Sequence, residues 1–296
     1  TEYLKTYGRA DYDGRPIFKI PCDDFVYELK KISKEIEVIP AHIWTPWFSM
    51  FGSMSGFDSV KDCFKDQTKN IFALETVLSS DPAMNWRLSQ LDKYTLESNS
   101  DMHSFWPWRI GREANIIEMK ELSYRNLINS IKDKKVTTIE VNPSYGKYHY
   151  DGHRKCNVCM NPSDSLKNNN ICTKCKRKLT IGVLHRVEQL ADREEGFKPK
   201  DAQEFKTLIP LSEIIASLIG SPVASTKVWK EFNNLISAFG SEFNILLKTK
   251  KEDLVRVVSN DIANAIIKNR KGEIEIIPGY DGEYGVPVLN KKKEKA

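Results

Sequence analysis

The 296-residue sequence has no apolar stretch approaching the ~18 uninterrupted residues of a membrane span, so a helical membrane protein is excluded. Its opening, TEYLKTYGRADYDGR, lacks both the basic n-region and the apolar h-region of a secretory signal. With no initiating Met, it reads as the start of a fragment. No internal repeat recurs at a fixed period, which argues against a solenoid or propeller. Histidine is scarce, with five in the chain, and four of the six cysteines fall in one short stretch. The remaining composition, 40% apolar, 29% charged and 10% aromatic, is globular, and the length suits about two domains.

Helical spacing alternates with short β-rich runs along the first half. Asp24 to Ile36 predicts a helix leading into EVIPAH (Glu37 to His42) as a buried strand. Ser59 to Gln67 and Met84 to Lys93 predict helices, followed by the strands NIFALE (Asn70 to Glu75) and YTLESNSD (Tyr94 to Asp101). Glu118 to Lys132 and VTTIEV (Val136 to Val141) repeat the pattern, which argues for an α/β fold built on a parallel sheet or barrel. After Pro143 the chain turns rich in Tyr, His, Lys and Cys until about Asp192. From Lys198 it becomes helical over Leu211 to Gly220, Ser225 to Gly240, Ser241 to Leu247 and Lys251 to Asn269, with Ser225 as N-cap and Gly240 as the stop. Glu273 to Gly282 reads as a late strand and turn, and Lys291 to Ala296 as a frayed tail. These shifts divide the chain into 1–143, 144–197 and 198–296.

Each of the first three expected strands ends on a potential metal ligand: His42, Glu75, and Asp101 with His103. In an α/β barrel functional groups gather at the C-terminal mouths of the strands. Imidazole with carboxylate suits zinc, manganese or iron, which can generate hydroxide and hold the oxygens of a phosphodiester displacement. Singly, each residue also fits a bland role: a hydrogen-bonded histidine, or a helix cap for Glu75 or Asp101.

Cys156, Cys159, Cys172 and Cys175 form two C-x2-C knuckles twelve residues apart, the spacing of a four-thiolate structural zinc site. Disulfides are the rival pairing. His149 and His153 precede the first knuckle and His185 follows the second, so a histidine could displace a thiolate, although four cysteines make that unnecessary. Cys22 and Cys63 lack partners at motif spacing and read as buried hydrophobes. Lys147 to Arg186 carries nine Lys and Arg against two Asp, a net +7 in a chain of net +5. Arg154, Lys155, Lys174, Lys176, Arg177 and Lys178 would then be displayed on a rigid ribbon, where fixed cations release counterions from a phosphate backbone. A solvated Lys-rich loop is the plainer alternative.

Trp44, Trp47, Phe48 and Phe51 follow His42 and are candidates for base stacking or for ordinary packing. Arg109 and Arg112 lie just past His103 and can clamp a phosphate or pair with Glu113 or Glu118. Ser79, Ser98 and Asn99 flank ligand positions and are candidates for reading a base edge, or for loop hydrogen bonding.

The blocks PAHIWTPWFSMFG, FALETVLSSDPAMNWRLSQLDKYTLESNSDMHS, IGREAN, GKYHYDGHRKC and GVLHRVEQLADR resemble endonuclease Q and its bacterial relatives, of the polymerase-and-histidinol-phosphatase (PHP) superfamily. The resemblance runs from about Asp13 to the last helices. It implies a partial distorted (β/α) barrel of the PHP type, a zinc-ribbon module and a C-terminal helical region, in a cytoplasmic, nucleoid-acting enzyme. It further implies cleavage of DNA on the 5′ side of uracil, hypoxanthine or abasic sites, with His42, Glu75, Asp101 and His103 as ligands of catalytic Zn²⁺, Mn²⁺ or Mg²⁺ and one structural Zn²⁺ in the ribbon. The family's opening His-x-His pair and the acidic ligand after it have no match here, so this chain is expected to hold an incomplete cluster and to be inactive alone.

The sequence therefore predicts a metal-dependent DNA repair endonuclease contacting DNA through Arg109, Arg112, Arg154, Lys155, Lys176, Arg177 and Arg186. One rival is a PHP-type phosphoesterase for a small molecule, whose activity would survive high salt. The other is a non-catalytic zinc-ribbon nucleic-acid binder, indifferent to His103→Ala.

Overall fold

The computed structural model describes residues 2–9, 11, 17–54, 56–106 and 109–289. The expected tail over Lys291 to Ala296, the Asp13 start of the resemblance, and Pro107 and Trp108 lie outside the described residues. The fold is mixed α/β with short strands: β1 (Ala73–Glu75), β2 (Thr95–Glu97), β3 (Ala114–Ile117), β4 (Val136–Glu140), β5 (Asp151–His153), β6 (Val158–Met160), β7 (Phe205–Thr207), β8 (Glu275–Ile277) and β9 (Val286–Val288). Strands β1 and β2 pair in parallel, with Leu74 opposite Leu96. Strand β4 is antiparallel to β3 and parallel to β7, while β5–β6 and β8–β9 are antiparallel ribbons.

No closed barrel forms among the described residues. The expected first strand shows why. Segment 37–42 lies extended beside β1, but Pro40 has no N–H and His42 turns into the left-handed region at φ 35°. Among the described residues two backbone bonds hold it to β1, Glu75 N to Pro40 O (3.1 Å) and Ile43 N to Glu75 O (3.1 Å). On the other side of β2 the neighbour is a side chain. The Gln203 amide accepts from Leu96 N (3.0 Å) and donates to Leu96 O (2.7 Å), as an adjoining strand would.

The helices follow their caps. The expected Ser225 cap accepts from Val228 N and opens Thr226–Phe239, which Gly240 closes at φ 85°. Helix Leu211–Ile219 ends on Gly220 at φ 69°. The single helix expected over Lys251 to Asn269 is two, Lys251–Leu254 and Asn260–Arg270, because Ser259 recaps the chain through Ile262 N. The helix expected over Met84 to Lys93 shrinks to Pro82–Asn85, opened by the Asp81 side chain, and one 3₁₀ turn, Ser89–Leu91.

Burial of apolar side chains joins these pieces. Ile139 of β4 packs with Leu211, Ile214, Ile215, Leu235, Ile245 and Ile266, seating the C-terminal helices on that strand. Val183 and Val187, from helix Val183–Leu190, enter the core formed by Ile43, Trp44, Phe51, Leu74 and Leu96. Trp44 and Phe51 are thus interior, with rings 4.8 Å apart and Trp44 Nε1 bonded to Asn85 Oδ1 (2.8 Å); base stacking by these two is excluded.

Candidate active site and metal centre

An open cleft of about 140 Å³ lies past the C-terminal ends of β1 and β2. Its walls include His42, Val77, Leu78, Ser79, Asp101, Arg112, Tyr145, Tyr148, His149, Glu213 and Tyr284. Four of these, His42 (φ 35°), Val77 (φ 35°), Leu78 (φ 44°) and Asp101 (φ 39°), hold positive backbone angles without being glycine, and Val77 is β-branched. Such strain costs on the order of 1–3 kcal/mol per residue and persists only where surroundings over-determine it.

The surroundings here are buried carboxylates that sequence reading did not single out as site residues. Glu113, 1% exposed, accepts from Leu78 N (2.8 Å), Ser98 Oγ (2.9 Å) and Val141 N (3.0 Å), tying β1, β2 and β4 to the strained turn. Thr76 Oγ1 donates to Glu140 (3.1 Å) and to Glu97 O (3.0 Å). Burial pushes Glu113 and Glu140 above the usual carboxylate range. Burial, with the Glu75 charge second, raises Glu97 to about 7. The signal in the sequence was position, since Glu97 and Glu140 lie within expected β-rich runs as Glu75 does.

Of the expected ligands, His42 and Asp101 face the cleft together. His42 Nδ1 is buried with no hydrogen-bond partner. Glu75 spends one carboxylate oxygen on His42 N (2.8 Å) and the other on Asn99 Nδ2 (2.8 Å), so it fixes the His42 backbone. His103 is exposed and sits 3.3 Å from Asp101 Oδ1 through Nε2. These four do not form a group of ligand atoms mutually within 4.8 Å among the described residues. Ser79 lines the cleft. Ser98 is fully buried beneath it, bonded to Glu113, which corrects its assignment to base reading. Asn99 bridges Glu75 and Asn115.

The cleft has further polar groups. His149 was weighed only as a spare ligand; it is 7% exposed, its Nδ1 is unpartnered, and burial lowers it to about 4, so its imidazole is neutral. Glu213 comes from helix Leu211–Ile219; burial raises it to about 7 against the pull of Arg109 and Arg112. Arg112 donates through Nε to Ser100 O (3.1 Å) and is itself part of the cleft wall.

The cysteine cluster departs from expectation in one ligand. His153, Cys156, Cys172 and Cys175 bring their ligand atoms within 4.8 Å of one another, with His153 Nδ1 3.4 Å from Cys175 Sγ. Cys159 is not among them. Strand alternation is the reason: Val158 and Met160 point into the small core with Cys172 and Leu179, so Cys159, between them on β6, faces the opposite side. Each turn beside the cluster places a left-handed residue after a cysteine, Asn157 (φ 49°) and Lys176 (φ 63°). Backbone N–H groups of Cys175 and Lys174 lower the Cys172 thiol to about 6, favouring the thiolate.

The cations divide. Lys155, Lys176 and Arg177 are exposed, and Arg154 reaches Glu283 at 3.7 Å. Arg186 is structural, a correction to its expected DNA role: it donates to Phe51 O (3.0 Å), Phe57 O (3.2 Å) and Asp58 (2.6 Å) with its side chain 14% exposed. His185, also buried, lies 2.5 Å from Asp151, which holds Gly182 N at 2.7 Å.

Residues 210–273 match the family model described as MJ0043 C-terminal domain. The chain is 33% identical over 293 residues to the uncharacterized protein MJ0043 of Methanocaldococcus jannaschii, covering 94% of this chain and 36% of that one. It is 32% identical over 252 residues to uncharacterized YqxK of Bacillus subtilis, covering 83% and 59%. This chain thus spans roughly a third to three-fifths of these relatives. Among solved structures, the lesion-specific endonuclease PfuEndoQ of Pyrococcus furiosus superposes at TM-score 0.86 with 31% identity, over all of this chain and 72% of that one. Endonuclease Q in complex with a 27-mer duplex carrying an abasic lesion at its active site superposes at 0.88, with 31% identity, over all of this chain and 73% of that one. Extended this far along the chain, that identity and superposition establish that the protein belongs to the endonuclease Q family.

Proposed function

We propose that the chain belongs to a metal-dependent DNA repair endonuclease that nicks the phosphodiester 5′ of uracil, hypoxanthine or an abasic site. The observation that carries this is the strained cleft where His42, Asp101 and Arg112 meet at the ends of parallel strands. Kinship with an enzyme captured on an abasic duplex supports the substrate class.

The donor set bears on the metal. An orphaned, buried His42 Nδ1 and the Asp101 carboxylate suit a divalent cation such as Zn²⁺, Mn²⁺ or Mg²⁺; Glu75 would release Asn99 to join them, and His103 would leave its contact with Asp101. Such an ion supplies an activated water and charge stabilisation for phosphodiester hydrolysis. The chain's own groups do the rest. Arg112 neutralises the phosphate, Tyr145, Tyr148 and Tyr284 bound a space for an extruded nucleotide, and neutral His149 offers it a hydrogen bond without a competing charge. Lys155, Lys176 and Arg177 hold the backbone of the duplex from the ribbon, which one Zn²⁺ on three thiolates and His153 would order. The proposal keeps the divisions at 143 and 197, and it keeps the catalytic cluster incomplete in this chain alone.

The test is incubation of lesion and control duplexes with the chain and with a longer natural form, in Mn²⁺ or Mg²⁺ against chelator. A single nick immediately 5′ of the lesion from the longer form is expected. Cleavage that ignores the lesion, or that persists in chelator, would overturn the reading.

A further inference from the structure

Cys22 and Cys63 belong to neither the cleft wall nor the ribbon cluster, and the fold sets them against each other. Cys22 opens helix Cys22–Ile32 and is exposed, against its expected place among buried hydrophobes. Cys63, in helix Val60–Phe64, is buried. The Cys63 thiol donates a hydrogen bond to Cys22 Sγ, the main cause that lowers Cys22 to about 7 and pushes Cys63 up.

Two fastenings flank the pair. One residue beyond Cys22, Asp23 takes a salt bridge from Lys65 Nζ at 2.8 Å, and Val26 packs in one core with Val60, Cys63 and Phe64. Thiols held in hydrogen-bond contact need only a side-chain rotation to meet disulfide geometry. Both cysteines wall an open apolar basin of about 400 Å³, with Phe25, Ile39, Pro40 and Phe57, so a small molecule can reach them from solvent. An exposed nucleophilic thiol beside a buried resolving one is the arrangement of redox-sensing cysteines.

We infer that Cys22 and Cys63 form a reversible dithiol–disulfide couple whose co-reactant is a low-molecular-weight disulfide, RSSR. The Cys22 thiolate attacks one sulfur of RSSR, the S–S bond breaks and RS⁻ leaves, which gives a mixed disulfide on Cys22. Cys63 passes its proton to that RS⁻ and attacks Cys22 Sγ, and the second RS⁻ departs to take up the proton that Cys22 had released. Two protein thiols are thereby oxidised to one disulfide while one RSSR is reduced to two RSH. Residues 23–62 lie inside the loop that the bond closes, among them Pro40, whose carbonyl holds Glu75 N, and His42 on the cleft wall. Closing that loop restricts its opening, so oxidation stiffens the segment that supplies His42. The couple operates whatever reaction the cleft performs.

The zinc-loaded chain is incubated with oxidised glutathione, trapped with N-ethylmaleimide and mapped by mass spectrometry without reduction. Wild type should give a cross-linked peptide joining Cys22 to Cys63 that dithiothreitol reverses. Cys63→Ala should stop at one glutathione on Cys22, and Cys22→Ser should leave Cys63 unmodified. Amide exchange over 37–43 should slow about tenfold or more in the oxidised wild type and stay unchanged in Cys22→Ser given the same treatment. The wild-type map decides the pairing even if Cys63→Ala folds poorly. A mixed disulfide that persists on wild-type Cys22, or a bond from Cys22 to a ribbon cysteine or to a second chain, overturns the couple. Oxidation that leaves exchange over 37–43 unchanged overturns its link to the cleft.

Discussion

Replacing His153 and Cys159 separately tests the ribbon's metal chemistry. The structure gives them opposite standing: His153 Nδ1 belongs to the group drawn within 4.8 Å, and Cys159 faces away on β6. Structural zinc sites supply about 10–16 kcal/mol of binding free energy through four ligands, so losing one ligand costs about 3 kcal/mol, or roughly a hundredfold in affinity. The small core of Val158, Cys172 and Leu179 offers little to replace it. His153→Ala should therefore lose zinc to a competing chelator at roughly a hundredfold lower chelator concentration, with a fall in melting temperature confined to the metal-loaded protein. Cys159→Ser should keep one zinc per chain and an unchanged melting temperature. Cobalt substitution reads the donors themselves, and its charge-transfer band should report three thiolates in the wild type and in Cys159→Ser. Zinc lost from Cys159→Ser but retained by His153→Ala would refute the pleat argument and restore a four-sulfur site.

Arg186→Ala should lower stability by about 1–3 kcal/mol, because it strands the carbonyls of Phe51 and Phe57, while leaving the salt dependence of DNA binding unchanged; denaturant midpoints and salt titrations check both. By contrast, Lys176→Ala and Arg177→Ala should each reduce the salt slope by about one with no change in stability. Glu213 is raised from 4.5 to about 7, so through that interval the folded state keeps a proton that the unfolded chain has released, and stability falls as pH climbs. Glu213→Gln should remove that fall and gain on the order of 2 kcal/mol at pH 8, measured by urea unfolding at pH 5 and 8; parallel curves for both proteins would contradict it. Cys22 is drawn down to about 7 mainly by the neighbouring Cys63 thiol, which is itself pushed up, so alkylation at pH 7.5 should mark the exposed Cys22 well before the buried Cys63.

Much of this was legible where local chemistry decides the outcome. Ser225 and Gly240 bound their helix as capping rules require, and VTTIEV became β4 because β-branched residues favour a pleated, half-buried surface, whereas of NIFALE only Ala73–Glu75 pairs as β1. Sequence failed where a non-local partner decides. Glu113 read as a possible partner of Arg109 or Arg112 until Leu78, Ser98 and Val141 converged on it, and Arg186 read as a DNA-contacting cation until Phe51 and Phe57 claimed its donors. Cys159 failed for a third reason, since motif spacing counts residues and takes no account of which face of a strand each one occupies.

Helix Val183–Leu190 shows how firmly the ribbon is rooted. Gly182, at its start, passes so close to residues 149 and 150 that an added Cβ would lie 2.5 Å from the Tyr150 carbonyl carbon. Val183 then both lines the cleft and fills the neighbouring core, one turn before Val187. Excising the ribbon as a cassette, or grafting it onto another scaffold, would tear two interior residues from the unit left behind. A substitution at the foot of the ribbon is therefore felt at once in the cleft wall and in the neighbouring interior.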